Sequence, residues 1–205
     1  MIRYKTVAAP CDDEIVIERS RFIGHIAPVN SRDEADEFIK SIKAFYKDAS
    51  HNVPAFIIGE HQELVWASDD GEPSGTSGMP IAQLLQKEGL TNVCVVVTRY
   101  FGGIKLGTGG LSRAYSGMAK QLLEKAGTKE VKDMVRIKIK FPYQQLEKLQ
   151  NAAKKSDFII EKIEYFDELI ITLLLEPEQE SDIISMLSDF VSKQVEILEK
   201  FQLLY

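Results

Sequence analysis

Apolar residues recur along this chain at two spacings. Ala35, Phe38, Ile39, Ile42, Phe45 and Tyr46 stand three and four apart, which aligns them on one helical face. Ser31 before them offers an N-cap, and Asp33 and Glu34 put negative charge in the first turn. Residues 32–47 are therefore predicted helical. Residues 14–27 alternate loosely through Ile15, Ile17, Phe22, Ile23 and Ile26, as a β-hairpin or bent strand pair does. Residues 53–58 and 63–67 read as strands joined near residues 59–62, and residues 68–80 are rich enough in turn formers to be a loop. Pro80 suits the first position of a helix over 80–87 that Gly89 ends. Residues 93–98 have the β-branched density of a buried strand. A glycine-rich loop is expected next. Leu111, Ala114, Tyr115, Met118, Leu122 and Leu123 then keep helical spacing up to Gly127.

A second unit begins near Met134. Val135, Ile137, Ile139 and Phe141 alternate with Arg136, Lys138 and Lys140, the pattern of a strand with one wet face. A helix over 143–155, strands over 158–166 and 168–175, a helix over 178–190 and a strand over 194–204 follow. That order is βαββαβ, a ferredoxin-like arrangement. The chain is thus read as an α/β (α+β) protein of two domains, 1–130 and 134–205, divided around residues 128–133.

Composition narrows the class. With 205 residues, 44% apolar and 27% charged, the chain has the make-up of an ordinary globular protein. Its first residues lack an apolar signal core, and no apolar run approaches the roughly 20 residues that span a bilayer, so the expected location is cytoplasmic, with no membrane. Cys11 and Cys94 have neither CxxC spacing nor histidine partners at ligand spacing, which argues against zinc and against a disulfide framework.

Charge is more informative. The chain carries a formal net charge of -6, yet no Asp or Glu lies between Glu88 and Glu124. That window holds Arg99, Lys105, Arg113 and Lys120, and six of the 13 glycines fall between residues 90 and 123. Backbone N–H groups at a helix start beside positive charge suit an anion, most simply a phosphate. The segment fits neither the Walker pattern, since Thr108 and Gly109 stand where Lys and Ser/Thr belong, nor the dinucleotide fingerprint. The candidate anion or nucleic-acid site is Arg99, Tyr100, Phe101, Gly102, Gly103, Lys105, Gly107, Thr108, Gly109, Gly110, Ser112 and Arg113. The plain alternative is a glycine-rich hairpin or bulge with its charges turned to water. Of Tyr100 and Phe101, one ring faces the core and one faces out if the strand continues, and an exposed ring beside arginine can stack on a base; burial of both is the other reading.

A supporting group is His51 with Asp69, Asp70, Glu72, Ser74, Thr76 and Ser77. Close carboxylates can hold magnesium against a phosphate, but such acids more often make turns, and no metal or cofactor is expected. Pairing of this loop with Arg99 would partly neutralise the basic window. His51 lacks a visible nucleophile or acid partner, so a hydrogen-bonded structural role is its default.

Ser50-His51-Asn52, Asp69-Asp70-Gly71-Glu72-Pro73-Ser74-Gly75-Thr76 and the run 95–115, above all Arg99-Tyr100-Phe101-Gly102-Gly103-Ile104-Lys105-Leu106-Gly107, resemble the Impact family in its bacterial YigZ-like two-domain form. The likeness is densest over residues 51–115. Val53 departs from it, standing where members often carry Cys, which counts against a thiol-based activity. The resemblance implies an N-terminal domain like the second domain of a small-subunit ribosomal protein and a C-terminal domain similar to one in elongation factor G. Eukaryotic members act in translational control but carry an additional N-terminal domain that this sequence lacks. A proline dipeptidase label given to some bacterial members finds no metallopeptidase ligand set here.

Three functions follow as expectations. The first is a non-enzymatic binding protein that meets RNA, the ribosome or a translation-associated protein and regulates translation. The second is a phosphate- or nucleotide-binding enzyme, kinase-like, that uses the glycine-rich loop. The third is a protein-interaction module docking through the ferredoxin-like sheet.

Overall fold

A computed structural model describes residues 2–205. The chain divides into one compact unit from Tyr4 to Glu130 and a second from Val131 to Tyr205 that also takes in Ile2 and Arg3. Strands β1 (Ile2–Val7) and β7 (Thr128–Phe141) run through the division.

In the first unit, β2 (Cys11–Ile17), β3 (Ser20–Pro28), β4 (His51–Ile58), β5 (Leu64–Ala67) and β6 (Val93–Tyr100) form an antiparallel sheet in the order β2-β3-β6-β4-β5. Central β6 is a nearly unbroken apolar run because both its faces are covered. Val93, Val95 and Val97 pack under α2 (Gly78–Lys87) and α3 (Gly107–Ala126), whereas Cys94 and Val96 pack against Ala35 and Ile39 of α1 (Arg32–Phe45). Burial pushes the Cys94 thiol well above its ordinary pKa, so it behaves as a small apolar residue. Helix α1 begins with a reciprocal cap: the Glu34 N–H donates to Ser31 Oγ at 3.2 Å, and the Asn30 N–H donates to Glu34 Oε2 at 2.7 Å.

Two boundaries differ most from the sequence expectation. Gly107, Thr108, Gly109 and Gly110 are the first turn of α3, not a loop. Glycine costs about 1 kcal/mol against alanine in a helix, but the buried stripe Leu111, Ala114, Tyr115, Met118, Leu122 holds α3 on the sheet and carries the helix back into them. Strand β7 also starts six residues before Met134, at Thr128.

In the second unit, β7, α4 (Leu146–Ala153), β8 (Phe158–Tyr165), β9 (Leu169–Leu175), α5 (Glu180–Val191) and β10 (Glu196–Leu204) form a ferredoxin-like βαββαβ fold. The sheet order β10-β7-β9-β8 places the unit's third strand, β9, between its first, β7, and its second, β8, all three pairs being antiparallel. Val135, Ile137, Ile139 and Phe141 face the helices with Leu149, Ile183 and Leu187. The opposite face of β7 carries Arg136, Lys138 and Lys140, each ion-paired to a glutamate: Glu161, Glu199 and Glu196.

Candidate functional site

Strand registry sets out the site. β3, β6 and β4 place Phe22, Arg99 and His51 side by side on the face under α2 and α3. Arg99 was expected to face a phosphate. It is instead 4% exposed, and its Nη1 donates to Glu72 Oε1 at 2.7 Å. Its Nη2 donates to Ser20 Oγ at 3.1 Å, which also accepts the Gly102 N–H at 3.2 Å. The guanidinium carbon lies 5.3 Å from the ring centres of both Phe22 and Phe101. A cation so enclosed and neutralised is a structural clamp, so Arg99 is removed from the anion-binding set.

Glu72 Oε1 also accepts the Tyr115 hydroxyl at 2.7 Å, and that ring meets Phe22 edge-on. Burial, then the neighbouring Glu72 carboxylate, push the Tyr115 hydroxyl far above its ordinary pKa, so it stays a hydrogen-bond donor. His51 Nδ1 lies 2.9 Å from the Asp70 carbonyl oxygen, which can only accept, so Nδ1 is the donor there; Nε2 lies 3.9 Å from Glu72 Oε2.

The three acids of the loop between β5 and α2 do separate jobs. Asp69 Oδ1 accepts from the Ser77 N–H, the Ser77 hydroxyl and the Gly78 N–H at 3.0, 2.6 and 3.0 Å, and Oδ2 accepts from the Gly75 N–H at 2.7 Å. It thereby caps α2, whose own N-cap Ser77 makes no side-chain cap bond. Burial alone would raise the Asp69 pKa; the hydrogen bonds from Ser77, Gly75 and Gly78 outweigh it and hold the carboxyl below its ordinary value. Asp70 pairs with Lys43 Nζ at 2.5 Å and accepts the Asn52 N–H at 2.6 Å. Glu72 is taken by Arg99. The carboxylates thus diverge, and among the described residues no three His, Cys, Asp or Glu side chains are grouped to hold a metal ion. Thr76 donates to the Pro73 carbonyl at 2.7 Å and Ser112 to the Thr76 carbonyl at 3.3 Å, while Ser74 is exposed at the tip.

The surface left above this network belongs to the other predicted residues. Tyr100 is half-buried, its hydroxyl donating to Asp48 at 3.0 Å with Arg21 over its ring. Phe101 is 49% exposed and anchored by its N–H to Ser50 Oγ at 3.0 Å. Gly102 lies so close to β3 that a Cβ would fall 2.0 Å from the Arg19 carbonyl oxygen, and Gly103 turns the chain at φ +86°. A groove of about 440 Å³ follows, lined by Ile17, Glu18, Ile104, Lys105, Leu106 and Arg113 among others. Arg113 also borders a neighbouring cleft of about 410 Å³ with Lys87 and Ser112. The first turn of α3 has no side-chain cap and no acidic residue. Sequence reasoning missed Ser20 and Phe22 as partners of Arg99 and Tyr115 as a second donor to Glu72; the pairing of β3 with β6 and the packing of α3 on the sheet bring them there.

The Impact N-terminal domain model matches residues 18–123, a span that contains the whole Glu72–Arg99 network, and a domain of unknown function (DUF1949) matches residues 139–192. IMPACT family member YvyE of Bacillus subtilis is 39% identical over 196 residues, covering 96% of this chain and 90% of the relative. The chain belongs to the IMPACT family. IMPACT family member YigZ of Escherichia coli is 31% identical over 193 residues, with 93% of this chain and 95% of that protein covered. The crystal structure of a hypothetical protein superposes with a TM-score of 0.63 at 31% identity, over 97% of each chain. In this IMPACT member no helix among the described residues is long and apolar enough to cross a membrane.

Proposed function

We propose that this IMPACT family member is a cytoplasmic, non-enzymatic binding protein of the translation apparatus, which engages RNA through the groove at the start of α3. One observation carries the reading: Lys105 and Arg113 line that groove, exposed and without an ion pair among the described residues, beside an uncapped helix start in an otherwise acidic chain. Helix N–H groups and two cations together favour phosphate oxygens. The non-enzymatic part rests on the acids and Arg99 being consumed by structural partners. The translational setting rests on the family resemblance, whose eukaryotic members act in translational control.

Co-sedimentation with ribosomes at low and moderate salt tests this. Salt-sensitive binding is expected, because each neutralised phosphate releases counterions, and the variant Lys105→Ala/Arg113→Ala should lose it while remaining folded. Binding that survives this double substitution unchanged removes the groove from the function. Absence of binding in both proteins, with magnesium-dependent stabilisation by ATP in a thermal shift, would favour the nucleotide enzyme instead.

A further inference from the structure

Strand β10 ends its sheet, pairing with β7 on one side. Exposed edges are normally blunted by short length, proline, charge or bulges. This strand runs nine residues without proline and has a bulge only at its start, between Ile197 and Glu199. Its charged residues Glu196, Glu199 and Lys200 remain partly exposed, but each charge is met within the chain, by Lys140, Lys138 and Glu180. Between these charges the strand leaves apolar surface open: Leu198, Phe201, Leu204 and the adjoining Tyr205 are 39%, 47%, 46% and 55% exposed.

The direction of the free backbone groups follows from the ladder. Tyr205 exchanges both main-chain bonds with Lys132, each at 3.0 Å. Because alternate residues of an antiparallel strand bond to opposite sides, Leu203 and Phe201 also turn toward β7, while Leu204, Gln202 and Lys200 offer N–H and C=O outward. That row accepts another β-strand.

We propose that the occupant is β10 of a second copy of this chain, paired antiparallel about a two-fold axis at Phe201. A two-fold normal to the sheet keeps opposed residues on one face, so the residue at its centre fixes every pair. Centring on Glu199 or Lys200 sets like charges against each other. Centring on Phe201 gives the longest register free of such a clash. It opposes Lys200 to Gln202 of the second copy through their outward groups, brings Leu204 to the second copy's Leu198, and stacks the two Phe201 side chains at the close, non-hydrogen-bonded position.

Sedimentation equilibrium of the full chain tests this, with a mass twice the 23.1 kDa of one chain expected in the micromolar range. Gln202→Pro removes an outward N–H that β7 does not use, a position where edge strands tolerate proline; it should return the protein to one chain mass with an unchanged circular dichroism spectrum. Independently, Phe201→Cys in a Cys11→Ala background should form an intermolecular disulfide on oxidation, since Cα atoms of a non-hydrogen-bonded pair lie about 4.5 Å apart, within disulfide reach. This second arm decides the matter if Gln202→Pro does not fold. A monomer at every concentration, a dimer that a folded Gln202→Pro leaves intact, or cross-linking at Leu203→Cys rather than Phe201→Cys overturns the proposal.

Discussion

Glu72 and Arg99 are paired at 2.7 Å with both side chains about 95% withdrawn from water. A pair this deep is costly to form and more costly to break, because either member alone is a buried, uncompensated charge. Arg99→Ala should therefore lose about 3–5 kcal/mol in urea unfolding. Tyr115→Phe, which removes one hydrogen bond to a charged acceptor and leaves the ion pair, should lose about 1.5–3 kcal/mol. The two effects should couple through Glu72 in a double-mutant cycle. A loss below that of Tyr115→Phe when Arg99 is truncated would show that the clamp is not what holds the loop.

Asp69 gives a pH dependence of definite sign. Its folded pKa is depressed by the α2 cap, so its stabilisation is present above the unfolded value, about 3.9, and is lost as pH falls through the lower folded value. Asp69→Ala should cost about 1–2 kcal/mol near neutral pH, the range for a lost N-cap. That difference should shrink toward zero in the acid limb of a stability–pH profile. A difference constant down to the acid transition would mean that the carboxylate charge does not contribute.

Gly102 and Gly103 should respond differently to alanine. At Gly102 the new Cβ meets the Arg19 backbone carbonyl in the turn between β2 and β3, which cannot rotate away, so overpacking should cost about 1–3 kcal/mol and shift Phe101. At Gly103 the space is open and only the left-handed backbone is strained, costing about 1–2 kcal/mol. Near-ultraviolet circular dichroism and tryptic cleavage at Lys105 separate the two: only Gly102→Ala should alter both. An unchanged spectrum for Gly102→Ala would show that β3 and the segment move together.

Much of this fold was legible because local signals agree with tertiary demand. The Ser31 cap and the stripe from Ala35 to Ile42 mark α1 to within two residues of its end, and the run from Val93 to Val97 could only be a strand covered on both sides. Glycine preference misread the start of α3, since packing of Leu111 and Tyr115 overrides it. The site was half legible. The clustering of Asp69, Asp70 and Glu72 shows in the sequence, and their pairing with Arg99 stood there as one reading, but which acid takes Arg99 depends on a contact 27 residues away. Whether a cation points to phosphate or to carboxylate is a property of the strand face, and the alternation around residues 99–101 left that face open.

Glu18 places an opposing charge in the proposed RNA groove and also turns the β2–β3 hairpin. It and Arg19 occupy positive φ, 45° and 63°, the backbone of a two-residue type I′ turn that favours asparagine and glycine. Glu18→Asn should relieve that strain and at the same time remove the acid that lines the groove with Lys105 and Arg113. Two unit charges some 10 Å apart near water interact by about 0.4–1 kcal/mol, so RNA affinity should rise about twofold to fivefold at low salt and the gain should fade as salt screens it. Filter binding across a salt series against unfolding midpoints separates the effects, because turn relief raises stability without salt dependence in binding. A Glu18→Asn protein that is more stable yet binds no tighter at low salt would place the RNA contact away from this groove.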